Sequence, residues 1–177
     1  MINRNSIKKS LGNYLLAFAL LAGCENTVLE EKLDTKTRTP PHISSYEKPG
    51  LCAGYARIAA QELYGIEYAR ADSWNLRYVN STLEVKEESS ISDLLNDAEI
   101  GDLLGIHYPL SRHKDELDRQ GNMRKYTHVA IYTGKNEKGN DEILHNFNGP
   151  RYEELAPFLE KHNCKIKEII KGKRKKK

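Results

Sequence analysis

The stretch PGLCAGYARIAAQELYG, Pro49–Gly65, decides how the rest of the chain is read. Leu51, Tyr55, Ile58 and Leu63 recur at helical spacing. Cys52, Ala56, Ala59 and Ala60 stand beside them, so the apolar face of this helix is built largely from small residues. Pro49-Gly50 marks the entry and Gly65 the stop, which predicts a helix from about Leu51 to Tyr64. A lone cysteine therefore stands at the start of the first helix.

Downstream the periodicity changes. In THVAIYTG, 127–134, β-branched and aromatic residues alternate up to a terminal glycine, the pattern of a strand. KNEKGND reads as a turn and EILHNF as the returning strand. A strand is expected from Leu103 to Tyr108 after the Gly101-Asp102 turn, and a short helix from Ser92 to Asn96. The segment around Trp74 reads as a loop with a short helical turn, and Ser111 to Lys125 as a charged connector. Pro157 to Cys164 suggests a last helix, with a further short element at Ile166 to Ile170. A helix followed by antiparallel strands is an α+β arrangement, the helix packed on one face of a small sheet.

At 177 residues, 38% hydrophobic and 30% charged, the chain has room for one ordinary globular domain. Its first 23 residues read as an export signal. Arg4, Lys8 and Lys9 precede an apolar run from Tyr14 to Ala22, which falls short of the roughly 20 apolar residues that span a bilayer. The ending Leu21-Ala22-Gly23-Cys24 resembles the lipobox of prokaryotic lipoproteins. That resemblance implies lipidation of Cys24 and an exported protein held at the envelope membrane by its acyl chains. Residues 24–45 are polar, contain Pro40-Pro41, and read as a tether. The folded domain is expected over 46–164.

Without the signal the chain carries 25 acidic and 25 basic side chains, unevenly spread. Residues 165–177 hold eight basic side chains and one acid, and read as a solvated basic tail or a contact for anionic lipid or wall polymer. From Cys24 to Cys164 there are 17 basic against 24 acidic residues, which disfavours nucleic-acid binding. Three cysteines are too few for a disulfide scaffold. No close Cys/His/Asp spacing of the zinc type occurs, so neither a metal nor a cofactor is expected.

A thiol is a nucleophile as its thiolate, and the free amides of a helix start favour that form at Cys52. The partner it needs is a histidine on a separate, rigid element. His128 begins the strand HVAIYTG and shares a face with Ala130 and Tyr132. His145, in EILHNF, becomes its cross-strand neighbour if the two strands form a hairpin, and can then fix its tautomer. Asn146 takes that place if the register slips by one. His42, His107, His113 and His162 are given no role.

These residues in this order resemble the papain-like NlpC/P60 and CHAP superfamily of cell-wall cysteine peptidases and amidases. The resemblance covers Tyr46 to Phe147. Cys52 in LCAGYA matches the nucleophile at a helix start, GDLLGIHY the G-D-L strand, and His128 in HVAIYTG the base. His145 in EILHNF matches the orienting polar residue. Gly65, Tyr68 and Trp74 echo a CHAP segment. Leu51 stands where aspartate is usual and Ala53 where serine is, so the subfamily stays open. The resemblance implies a papain-like fold and a peptidoglycan or related peptide substrate. It implies amide cleavage in a stem peptide or at its junction with the glycan, with Tyr46 near the oxyanion and Trp74 as a groove wall. Against this stand two plainer readings of Cys52, an inert packed thiol or a disulfide with Cys164. For the whole protein the alternatives are a non-catalytic wall-binding lipoprotein of the same fold and a Cys-His acyltransferase or transglutaminase.

Overall fold

Helix α1, Cys52–Tyr64, starts after Leu51 with no side-chain cap and stops at Gly65, whose φ of 67° lets its amide reach Ala60 and Gln61 carbonyls. The structure, a computed structural model, describes residues 38–46, 51–71, 75–85, 89–111, 114–118 and 120–174. Residues 1–37 lie outside the described residues, as does Trp74. The lipidation, signal and tether expectations therefore fall there through residue 37.

The remaining elements follow in chain order: β1 (Ile66–Glu67), α2 (Leu76–Val79), β2 (Ser81–Glu84), α3 (Ile91–Leu95), β3 (Leu103–His107), β4 (His128–Lys135), β5 (Asp141–Asn146), β6 (Pro150–Glu154), α4 (Leu155–Lys161), β7 (Lys165–Lys171) and β8 (Lys173–Arg174). Strands β2, β7, β3, β4, β5 and β6 lie side by side, in that order, in a six-stranded antiparallel sheet; β1 and β8 pair separately. The protein is thus α+β with an antiparallel sheet.

Side-chain alternation gives this sheet two buried faces. On one, Leu103, Val129, Ile131, Leu144 and Ile170 pack against Ala53, Tyr55, Ala56, Ala59 and Ala60 of α1. On the other, Leu104, Ile106, Ala130, Tyr132 and Ile143 pack against Leu155, Phe158 and Leu159 of α4. The helix lays its alanines on the sheet and turns Leu51 and Leu63 outward, a rotation from the apolar face expected. Small side chains allow the helix to approach the strands closely, which brings its first residue against the backbone of β4.

Three expectations change. Residues 165–171 are not a solvated tail: β7 lies between β2 and β3, with Ile166 and Ile169 buried on the α4 face and Ile170 on the α1 face. The folded unit also begins before Tyr46, since Ile43 belongs to the core under α1. Strand β6 was not anticipated. It is made by the Asn148-Gly149 turn, both residues at positive φ, which returns the chain alongside β5.

Candidate functional site

Cys52 is the first residue of α1 and only 6% exposed. The β4–β5 ladder ends at Ala130–His145. One residue beyond it, the backbone of Val129 lies beside the Cys52 sulfur and, with the backbone of Ala53 and of Cys52 itself, favours the thiolate. Burial outweighs these donors and pushes the thiol above its ordinary pKa.

His128 and His145 meet as the hairpin register predicts. Ala130 pairs with His145, so His128 is the diagonal neighbour on the same face, and His128 Nε2 lies 3.0 Å from His145 Nδ1. His145 Nε2 lies 2.8 Å from Glu153 Oε2. Glu153 stands on β6, two residues past the Arg151 that pairs with His145, hence on the same face. The Arg151 guanidinium is 3.4 Å from the other oxygen of Glu153. Three side chains from three adjacent strands thus form a relay, His128–His145–Glu153, buried at the two histidines and partly open to solvent at Glu153.

The chemistry of this relay fixes its protons. His145 is fully buried and His128 5% exposed; burial pushes both imidazoles down to about 3, with His162 and Arg151 acting in the same direction on both and His145 also on His128. Both rings are therefore neutral near pH 7. An ionised Glu153 only accepts, so His145 Nε2 carries the hydrogen and its Nδ1 the lone pair. His128 Nε2 then donates to that lone pair, which leaves His128 Nδ1 bare. A bare imidazole nitrogen held by two partners in series is what a general base requires. Phe158 lies edge-on to His145 at 4.7 Å between centroids and Phe147 edge-on to His128 at 5.6 Å, so aromatic rings wall the relay.

Asn146 does not serve His128. It faces the α1 side, where it donates to the Tyr46 carbonyl at 2.5 Å and accepts from the Gly149 amide at 3.1 Å. Tyr46 in turn packs its ring over the first turn of α1, where a Cβ on Gly54 would come within 2.2 Å of it. Tyr46 is thereby beside the helix start that bears Cys52.

Cys52 and the relay approach the start of β4 from opposite sides. Val129 belongs to the α1 face, whereas His128 follows Ala130 and Tyr132 onto the α4 face. Among the described residues no hydrogen bond joins the Cys52 sulfur to the His128 imidazole; the groups that favour its thiolate are those of the nearby backbone. Cys164 is a free thiol in the core on the α4 side, so the Cys52–Cys164 disulfide is not formed. Among the described residues no group of three His, Cys, Asp or Glu side chains is placed to hold a metal ion. Glu153 and Arg151 escaped the sequence reading; the Asn-Gly turn followed by alternation was the signal that could have found them.

No known family model matches the chain, and no curated protein matches it.

Proposed function

We propose that this protein is a cysteine-dependent amide hydrolase of the papain-like kind, acting on peptidoglycan peptides at the outer surface of a membrane that holds it through lipidated Cys24. The observation that carries this reading is the relay His128–His145–Glu153, which starts on the residue preceding Val129, whose backbone lies beside the Cys52 sulfur. The chain order of cysteine helix, G-D-L strand, His128 strand and His145 strand also agrees with the family resemblance.

In the proposed reaction His128 Nδ1 takes the Cys52 S–H proton as the sulfur bonds to the amide carbonyl carbon. The carbonyl electron pair moves onto oxygen, where the helix-start amides donate to it. Collapse breaks the C–N bond, and His128 returns the proton to the leaving amine. Water then cleaves the thioester. The step requires the sulfur and His128 Nδ1 to come within hydrogen-bonding reach, by rotation of side chains at the strand start where the ladder has opened.

A second reading has its own observation. A 6%-exposed thiol that burial holds above its ordinary pKa is what a structural cysteine looks like, and it favours a non-catalytic wall-binding lipoprotein. Muropeptide digestion by the wild type, Cys52→Ala and His128→Ala, with products identified by mass spectrometry, separates the two. Amide cleavage lost in both variants supports the hydrolase; no cleavage by the wild type, with alkylation of Cys52 that sets in only above its elevated pKa and that His128→Ala leaves unchanged, supports the binding module. Release of Cys24→Ser from the membrane fraction tests the anchor.

A further inference from the structure

Cys52 and the relay stand on opposite faces of the sheet, so the helix that carries one must be held in register with the strand that carries the other. The join runs through Asn146. A strand sends consecutive side chains to opposite faces, and Asn146, next in chain to His145, points to the α1 side.

Asn146 is 2% exposed, and its partners set the orientation of its amide. Its Oδ1 accepts from the Gly149 amide at 3.1 Å, so its NH2 is the end that donates to the Tyr46 carbonyl, at 2.5 Å. Through Gly149 it holds the turn that leads into β6 and Glu153. Through Tyr46 it reaches the cysteine helix. The Tyr46 ring lies against the first turn of α1, where a Cβ on Gly54 would come within 2.2 Å of it. Gly54 is a helical residue without a positive φ, so its backbone does not call for glycine; the approach of the ring does. The segment that carries Tyr46 is pinned to α1 at its other end too. Ile43 is buried in the core under the helix, the Tyr46 amide donates to the Ile43 carbonyl at 2.8 Å, and the hydroxyl of Tyr55, a fully buried residue of α1, donates to the Pro41 carbonyl at 3.1 Å.

We propose that Asn146 and Tyr46 are positioning residues that set the helix carrying Cys52 in register with the strand carrying His145. Each acts through another residue, Asn146 through the peptide bond it shares with His145 and Tyr46 through the helix turn it packs against. This differs from the place near the oxyanion that the family resemblance implies for Tyr46: its ring and its backbone carbonyl act, and its hydroxyl does not. The inference rests on the hydrolase reading for the reaction it serves, and on the contacts alone for the bridge itself.

The test is the rate of Cys52 alkylation in the full-length protein from about pH 6 to 10, read by peptide mass spectrometry. In the wild type the expected profile has a limb near neutrality that His128→Ala abolishes. Asn146→Ala, Tyr46→Ala and Gly54→Ala should each lower that limb by about tenfold or more, up to the roughly hundredfold cost of about 1 Å of misplacement, and spare alkylation above the elevated thiol pKa. Tyr46→Phe keeps the ring and the carbonyl and should restore the wild-type profile. Gly54→Ala leaves both bridge residues in place and displaces only the ring, so the test survives if Asn146→Ala fails to fold. A second measurement does not involve the thiol: solvent exchange of the Asn146 side-chain amide should be about tenfold faster in Gly54→Ala than in the wild type. The positioning role is overturned if the neutral limb is present in the wild type and unchanged in the three variants, or if Tyr46→Phe behaves as Tyr46→Ala does. It is also overturned if the variants speed alkylation equally at every pH, the mark of a loosened fold. A wild type without the neutral limb sinks the hydrolase reading, and the bridge then stands on faster Asn146 exchange in Gly54→Ala or falls with unchanged exchange.

Discussion

Glu153→Ala probes the proton arrangement of the relay directly. In the wild type the Glu153 carboxylate accepts at 2.8 Å from His145 Nε2, and His145 has no exposed surface. Deleting the acceptor strands a buried N–H, a loss of about 1–3 kcal/mol. Glu153 is 29% exposed, so water partly replaces it, and the lower half of that range, about 1–2 kcal/mol, is expected. The ring can also escape by moving its hydrogen to Nδ1. It then donates to His128 Nε2, and neutral His128 must carry its own hydrogen on Nδ1, the nitrogen a thiol would need. Nitrogen-15 imidazole spectra distinguish the tautomers: bare Nδ1 on both rings in the wild type, and protonated Nδ1 on both in the variant. Glu153→Gln keeps an acceptor oxygen and should hold the wild-type tautomers with a stability loss of under about 1 kcal/mol. If wild-type His128 is protonated at Nδ1, or if Glu153→Ala changes neither ring, the proton assignment is refuted.

Three further outcomes are expected. Both histidines have folded pKa values near 3, below the ordinary 6.5, so stability is complete above pH 6.5 and is lost as pH falls from there towards 3. Between pH 7.5 and 5.5 the two together remove about 2–3 kcal/mol, and urea unfolding of His128→Gln/His145→Gln across that range should lose most of this slope. Ile170→Ala, in the strand between β2 and β3, should destabilise by about 2–5 kcal/mol in the same assay; a change under about 0.5 kcal/mol would place residue 170 outside the core. Gly54→Ala drives a Cβ into the Tyr46 ring and should lower the melting temperature, by about 1–3 kcal/mol of stability, and an unchanged melt would show that Tyr46 does not pack there.

Much of this architecture is legible because burial and periodicity coincide. Val129 and Ile131 face one helix while His128, Ala130 and Tyr132 face the other, so HVAIY could be read as a strand without coordinates. The short helix at Ile91–Leu95 is announced by Ser90, whose side chain accepts from the Asp93 amide. Composition misled where charge and burial share an element. In KIKEIIK the lysines dominate the count, yet Ile166, Ile169 and Ile170 are buried. PRYEE looks like loop, but its edge position in the sheet leaves every side chain half-buried, so Arg151 and Glu153 keep access to water. Helix α1 was placed correctly in the chain but rotated, because alanines rather than leucines set the closest approach.

The pairing of His128 with His145 follows from hairpin register, a local property that two adjacent strands and their turn determine. The pairing of Cys52 with His128 is of another kind. Cys52 reaches β4 from a helix laid across one face, and a strand sends consecutive side chains to opposite faces. Sequence order alone therefore cannot say whether a helix-borne thiol meets the side chain of residue 128 or the backbone beside it. The answer is decided at one point, where the β4–β5 ladder gives out after Ala130–His145 and the Val129 backbone lies beside the sulfur. A thiol that turns from the Val129 backbone to the bare Nδ1 of His128 gives up an influence that favours its thiolate and gains the base that would create it. Alkylation of Cys52 against pH reads that exchange: isolated among amides, the thiol reacts only as pH rises past its elevated pKa, whereas coupled to His128 it reacts near neutrality and loses that reactivity in His128→Ala.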